Sequence, residues 1–223
     1  MSTIVKESSM TQRHLIYFAD PMCSWCWGFS PVIDAIQSQF GATLPIKLIL
    51  GGLRPGTDKA MDSADKNDIR SHWEHVHEAS QQPFDFSFFS REGFIYNTEP
   101  AARSVVTLRR YRADLALEAL KSIHRAFYAH NQDVTDLQVL THIASSLGMD
   151  KESFQESFLS ESIKEETWSD FSLSQYSGVT GFPTLAAGFH QDQPYTLITH
   201  GFQPASSVLA MITTWMNALE EQH

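Results

Sequence analysis

The chain has 223 residues, of which 42% are hydrophobic and 12% aromatic, a composition that fits a folded globular protein and excludes a disordered or collagen-like one. Its 26 acidic against 16 basic residues give a formal net charge of −10, a field that repels phosphates and sets nucleic-acid binding aside. Only two cysteines occur, too few for a disulfide framework or a four-thiolate metal site.

Met1 through Arg13 come first, mostly polar with Lys6 and Glu7, and they lack the apolar stretch of a secretory signal. Nowhere do about eighteen apolar residues run together, so no membrane span is expected and the chain reads as cytoplasmic. His14 to Ala19 reads as a short buried strand ended by Asp20-Pro21. The cysteine pair follows at once, and from Cys26 the residues Phe29, Ile33, Ile36 and Phe40 fall on one face of a helix ending near Gly41. Pro31 lies inside that helix, where a kink is expected. Pro45 to Leu50, bounded by Gly51-Gly52, completes a β-α-β unit and implies a parallel strand pair.

From about Thr57 to Ser177 the patterns are helical. Thr98 is a candidate cap with Pro100 in the first turn, and Ala101, Val105 and Leu108 share a face. Ala116, Leu120, Ile123 and Phe127 mark the next helix; Asp133 or Thr135 begins another that ends at Gly148. Shorter helices follow around Phe154 to Leu159 and Ile163 to Tyr176. Thr184 to Phe189 and Tyr195 to His200 flank the turn-rich His190-Gln191-Asp192-Gln193-Pro194 and read as an antiparallel hairpin. A last helix after Pro204 carries Val208, Leu209, Ile212, Trp215, Met216 and Leu219 on one broad face.

Cys23-Ser24-Trp25-Cys26 sits where the first strand gives way to the first helix. Unpaired amides and the dipole at a helix start favour negative charge, which makes Cys23 the candidate nucleophile. Cys26, one turn inside on the buried face, is placed to attack a mixed disulfide on Cys23 and is the candidate resolving thiol. Other readings stay open: half of a zinc site completed by His72 and His75, or two inert buried thiols. The helix His72-Trp73-Glu74-His75-Val76-His77 is otherwise a solvated surface, as is Arg109-Arg110-Tyr111-Arg112. His124, His130 and His142 have no consistent ligand spacing and are expected at the surface or as caps, and no metal site is assigned. Asp20 reads first as a turn starter and second as an electrostatic neighbour of the thiols. Trp25 and Trp27 are equally placed for peptide docking and for core packing.

The strand, the Cys-x-x-Cys, the proline-interrupted helix and the later Gly178-Val179-Thr180-Gly181-Phe182-Pro183-Thr184-Leu185 together resemble the thioredoxin superfamily. The stretch from Cys26 to Pro183 far exceeds the dozen or so residues of a simple crossover. Such an insertion is similar to the DsbA family, and Asp20-Pro21-Met22-Cys23-Ser24-Trp25-Cys26-Trp27-Gly28 with Asn97-Thr98-Glu99-Pro100-Ala101 resembles its FrnE-like, dithiol-disulfide isomerase branch. The resemblance implies an α/β thioredoxin-like fold, β-α-β then β-β-α, with a large all-helical insertion. The discontinuous domain would span 10–56 and 178–221, and the inserted helical subdomain 57–177. It implies a cis bond before Pro183, main-chain pairing of Phe182 with an extended substrate, and contact of Ser24 and Trp25 with that substrate.

The implied activity is thiol-disulfide exchange of the reductase or isomerase type on disulfide- or thiol-containing proteins or small thiols. No bound cofactor is implied beyond the Cys23–Cys26 disulfide, with glutathione or a thioredoxin-type system as candidate electron partner. Ser24-Trp25 replaces the Pro-His of periplasmic relatives, which leaves Cys23 to the helix terminus and argues against a strongly oxidising pair. Two alternatives remain. Kappa-class glutathione transferases and 2-hydroxychromene-2-carboxylate isomerases share the inserted plan but generally bear serine at the Cys23 position. A non-catalytic peptide- or metal-binding module is the other.

Overall fold

Residues 13–189 and 194–220 are described in this computed structural model. They build a four-stranded sheet from β1 (His14–Ala19), β2 (Ile46–Leu50), β3 (Thr184–Gly188) and β4 (Thr196–His200), in the order β2-β1-β3-β4. β1 and β2 are parallel, with Leu15 opposite Ile46 and Ala19 opposite Leu50; β3 is antiparallel to both β1 and β4. The expected β-α-β and β-β-α halves therefore meet in one sheet. β1 lies inside it, which is why its run is apolar on both faces instead of alternating. The predicted hairpin tip, His190 to Gln193, lies outside the described residues.

Helix α1 (Ser24–Phe40) continues through Pro31 and buries Cys26, Phe29, Ile33 and Ile36, as their spacing predicts. Helix α8 (Ala205–Glu220) packs beside α1 and β4, with Val208 and Ile212 fully buried. The side chain of Leu219 lies outside the described residues.

Between β2 and β3 come α2 (Ser63–Ser80), α3 (Glu99–Tyr111), α4 (Ala116–His124), α5 (Leu137–Ser146), α6 (Lys151–Leu159) and α7 (Glu161–Tyr176). Two expected caps fall elsewhere. Thr98 precedes α3 but makes no capping bond, because its hydroxyl accepts the Arg54 amide (3.1 Å) while Asn97 accepts the Glu99 amide (3.1 Å). α5 is capped by Asp136, since Asp133 holds the preceding turn through the Thr135 amide and hydroxyl. α4 runs into one π-turn, Arg125–Ala129, which turns the consecutive Ala126, Phe127 and Tyr128 inward. On α2 the three histidines are exposed as expected, but Trp73 is fully buried, with the rings of Phe84, Phe88, Phe89 and Tyr128 packed around it at centroid distances of 4.9–5.2 Å. Buried apolar residues form one continuous cluster from the sheet through these helices.

Arg109 corrects the reading of its segment as a solvated face. Its guanidinium pairs with Asp170 (2.7 Å) and Glu166 (2.9 Å) and donates to the Leu48 carbonyl (3.1 Å), while Asp170 accepts the Leu50 amide (3.0 Å). The pair thus satisfies backbone groups of edge strand β2, the role a further strand would play. Arg110 also reaches Glu166, at 3.0 Å, and Arg112 stays on the surface. No helix among the described residues is long and apolar enough to cross a membrane.

Candidate active site

β1 ends at Ala19, and the chain turns at Asp20, whose carboxylate accepts the Met22 amide (2.9 Å) while its carbonyl accepts the Cys23 amide (3.1 Å). The turn delivers Cys23 to the N-cap of α1, where its sulfur accepts the Cys26 amide at 3.4 Å. The cap that usually falls to serine or aspartate oxygen is here a sulfur, so a helix-start amide points at the atom that would carry thiolate charge. Both cysteines are free thiols. Cys26 is fully buried, as expected; Cys23 is only 6% exposed, because it lies in the wall of a cleft. Burial, with Cys23 alongside, pushes the Cys26 thiol well above the usual range, and the buried Tyr17 of β1 is a close neighbour.

The Phe182–Pro183 bond is cis, and the Phe182 carbonyl accepts the Cys23 thiol at 3.6 Å. Bonds from Gly201 N to the Pro183 carbonyl (2.7 Å) and from Thr184 Oγ1 to the Gly181 carbonyl (2.8 Å) brace this loop against β4 and β3. Of the two tryptophans, Trp27 belongs to the core, its indole donating to the Pro83 carbonyl at 3.0 Å. Trp25 is half-buried on the cleft and packs on Phe202 at 5.7 Å between centroids. Ser24 lines the cleft beside it. Cys23, Cys26, Pro183, Ser24, Trp25 and Phe182 thus come together from chain positions far apart.

Asp20 is more than a turn starter. Its second oxygen accepts the Leu53 amide (2.8 Å), and burial raises the carboxyl to about 6. The carboxylate opposes a second negative charge on the Cys26 sulfur. His124, expected at the surface or as a cap, is fully buried; its Nε2 donates to the Asp20 carbonyl at 3.0 Å, and burial lowers it to about 4. Tyr96 donates to the Met22 carbonyl at 2.7 Å. Tyr17, Tyr96 and His124 were not singled out from sequence as site residues. His124 did carry a signal, since Leu120, Phe127 and Tyr128 are its i−4, i+3 and i+4 neighbours and all apolar or aromatic.

A model of the DSBA-like thioredoxin domain matches residues 14–204. The chain belongs to the DSBA-like thioredoxin domain family. A candidate protein disulfide isomerase from Nitrosomonas europaea superposes with a TM-score of 0.86 at 36% identity, covering 93% of this chain and 98% of that one. The cytosolic disulfide reductase DsbM from Pseudomonas aeruginosa, solved with GSH, gives 0.69 at 22% identity over 94% and 98% of the two chains. The ClpXP adapter protein SpxH of Bacillus subtilis is 22% identical over 75% of this chain, which spans only 56% of that protein's length.

In this DSBA-like domain the cleft beside Cys23 has a volume of about 220 Å³ and is walled by Trp25, Ile69, Trp73, Tyr96 and Phe182 among others. A sulfur fed by a helix-start amide at the edge of such a cleft can attack a second sulfur placed there, and the shielded thiol one turn behind can complete the exchange. Among the described residues no group of three or more His, Cys, Asp or Glu side chains is placed to hold a metal ion.

Proposed function

We propose that the protein is a thiol-disulfide oxidoreductase of the reductase or isomerase type, with Cys23 as nucleophile and Cys26 as resolving thiol. The observation that carries this reading is the Cys23 sulfur at the N-cap of α1, accepting the Cys26 amide and facing the Phe182 carbonyl of the cis-proline loop. The Cys23 thiolate bonds to one sulfur of a substrate disulfide, whose other sulfur leaves as thiolate. Cys26, deprotonated, then attacks the Cys23 sulfur and expels the second substrate thiolate. Two electrons pass from the dithiol to the substrate, and both leaving thiolates take up protons. In the reverse direction the pair passes its disulfide to a substrate dithiol.

Pro183 and the main chain of Phe182 present the surface against which the substrate segment lies, flanked by Ser24 and Trp25. No bound cofactor is required, because the cysteine pair itself stores the electrons; glutathione or a thioredoxin-type system restores the dithiol. Following the Pseudomonas aeruginosa fold relative, we place this work in the cytosol. Cys23→Ser is expected to abolish disulfide exchange, and Cys26→Ala to trap a mixed disulfide visible by mass under non-reducing conditions. Full activity in Cys23→Ser would remove the reading. Equilibration in glutathione redox buffers sets the direction: a potential well below the glutathione poise marks a reductase, and one well above it an oxidant or isomerase.

A further inference from the structure

The residues lining the cleft beside Cys23 include no aspartate or glutamate, in a chain whose net charge is −10. The lining holds one permanent cation, Arg54, with His72 of α2 as a further polar side chain. Arg54 is held in place by its main chain: its amide donates to Thr98 Oγ1 (3.1 Å), and its carbonyl accepts the Thr98 amide (3.3 Å). Its guanidinium lies over the Tyr96 ring, with Cζ 5.5 Å from the centroid, and Tyr96 is itself fixed by its bond to the Met22 carbonyl. Among the described residues that guanidinium has neither a carboxylate nor a hydrogen-bond acceptor. Arg109, Arg110 and Arg112, by contrast, each meet an acid. Asp20 offers none, being buried and bonded to the Met22 and Leu53 amides.

An unpaired guanidinium that stacks on an aromatic ring and lines the same cleft as a reactive sulfur is a ready fork for a carboxylate. The cleft volume of about 220 Å³ lies below the range of drug-sized ligand sites, ~300–1,000 Å³, and suits one half of a small disulfide. We propose that Arg54 selects small disulfides that carry a carboxylate close to the sulfur, binding that carboxylate while Cys23 attacks. This rests on the redox reading of the cysteine pair and names the class of substrate for it.

The test uses pre-reduced full-length protein, freed of reductant and mixed in single turnover with three disulfides of equal spacer length. These are 3,3′-dithiodipropionate (anionic), 2-hydroxyethyl disulfide (neutral) and cystamine (cationic). The quantity read is the ratio of anionic to neutral rate constants for loss of the Cys23 thiol, in wild type, Arg54→Gln and Arg54→Lys. Using the ratio within each protein cancels intrinsic differences in leaving group. The expected result is a ratio that falls about tenfold in Arg54→Gln, is partly kept in Arg54→Lys, and shrinks with added salt.

An unchanged ratio in Arg54→Gln overturns the proposal, as does an equal fall for all three disulfides, which would make Arg54 a structural prop of Tyr96. An Arg54-dependent preference that appears only with a glutamate-flanked cystine peptide overturns the small-ligand assignment in favour of a protein substrate. Absence of any Cys23-dependent reaction with the neutral disulfide is a different failure, since it removes the oxidoreductase reading itself.

Discussion

The tip of the Phe182 ring occupies the space that a β-carbon would take at Gly51, where such an atom would lie 2.2 Å from Cζ. The glycine after β2 is therefore what lets the cis-proline loop close over the Cys23 cleft. Gly51→Ala must push the ring aside, and with it the carbonyl that faces the Cys23 sulfur. The expected cost is about 1–3 kcal/mol of stability, read by urea denaturation. Adding Phe182→Ala should return most of that stability, because the partner in the clash is gone.

Asp20 and His124 give opposite pH dependences over nearly the same window. The Asp20 carboxyl holds its proton more tightly in the folded chain, so its contribution is full below its ordinary value of 3.8 and is lost as pH rises through about 6. The His124 imidazole gives up its proton more readily when folded, so its contribution is full above 6.5 and is lost as pH falls through about 4. Each is worth about 3 kcal/mol, and in the native chain they nearly cancel. Relative to wild type, Asp20→Asn should gain stability as pH climbs from 4 to 6.5, and His124→Gln should lose it. Urea midpoints across that range, with parallel slopes in both variants, would refute this.

Cys26 must lose a proton before it can resolve a mixed disulfide, and burial opposes that loss. Resolution should therefore accelerate about tenfold per pH unit from neutral upward, until the raised value is passed. Replacing Asp20 by asparagine removes one of the charges opposing the Cys26 thiolate and should quicken resolution at any given pH. Release of the second thiol after rapid loading of Cys23 measures this step alone.

The Arg109–Asp170 pair holds the outer edge of β2 and lies mostly out of solvent, with 19% and 11% of the side chains exposed. Arg109→Met leaves Asp170 and Glu166 without their cation and should cost about 3 kcal/mol or more. Asp170→Ala also leaves the Leu50 amide without an acceptor, whereas Asp170→Asn retains one and should cost less. Urea denaturation of the three variants ranks them.

Local patterns carried much of this fold. The strands around the cysteine pair and cis-proline loop and the buried face of α1 follow from apolar period and turn residues, which act over a few positions. What stayed illegible depended on partners remote in the chain. An Asp before Pro has the same local signature whether its carboxylate meets water or the amide of Leu53, 33 positions away. Arg109 looks like any arginine on a helix until Glu166 and Asp170 arrive from α7. Thr98 is a sound cap by type, yet the Arg54 amide claims its hydroxyl. Of the site, the sulfur pair and Phe182-Pro183 were readable from spacing and resemblance; the second layer beneath them was not.

The two peptide carbonyls that flank Pro21 are each tied to a distant side chain, that of Asp20 to His124 and that of Met22 to Tyr96. The turn that presents Cys23 is thus tethered to the long helical stretch between β2 and β3. The stretch that lengthens this chain beyond a simple thioredoxin-like core therefore also builds the floor on which its sulfurs stand.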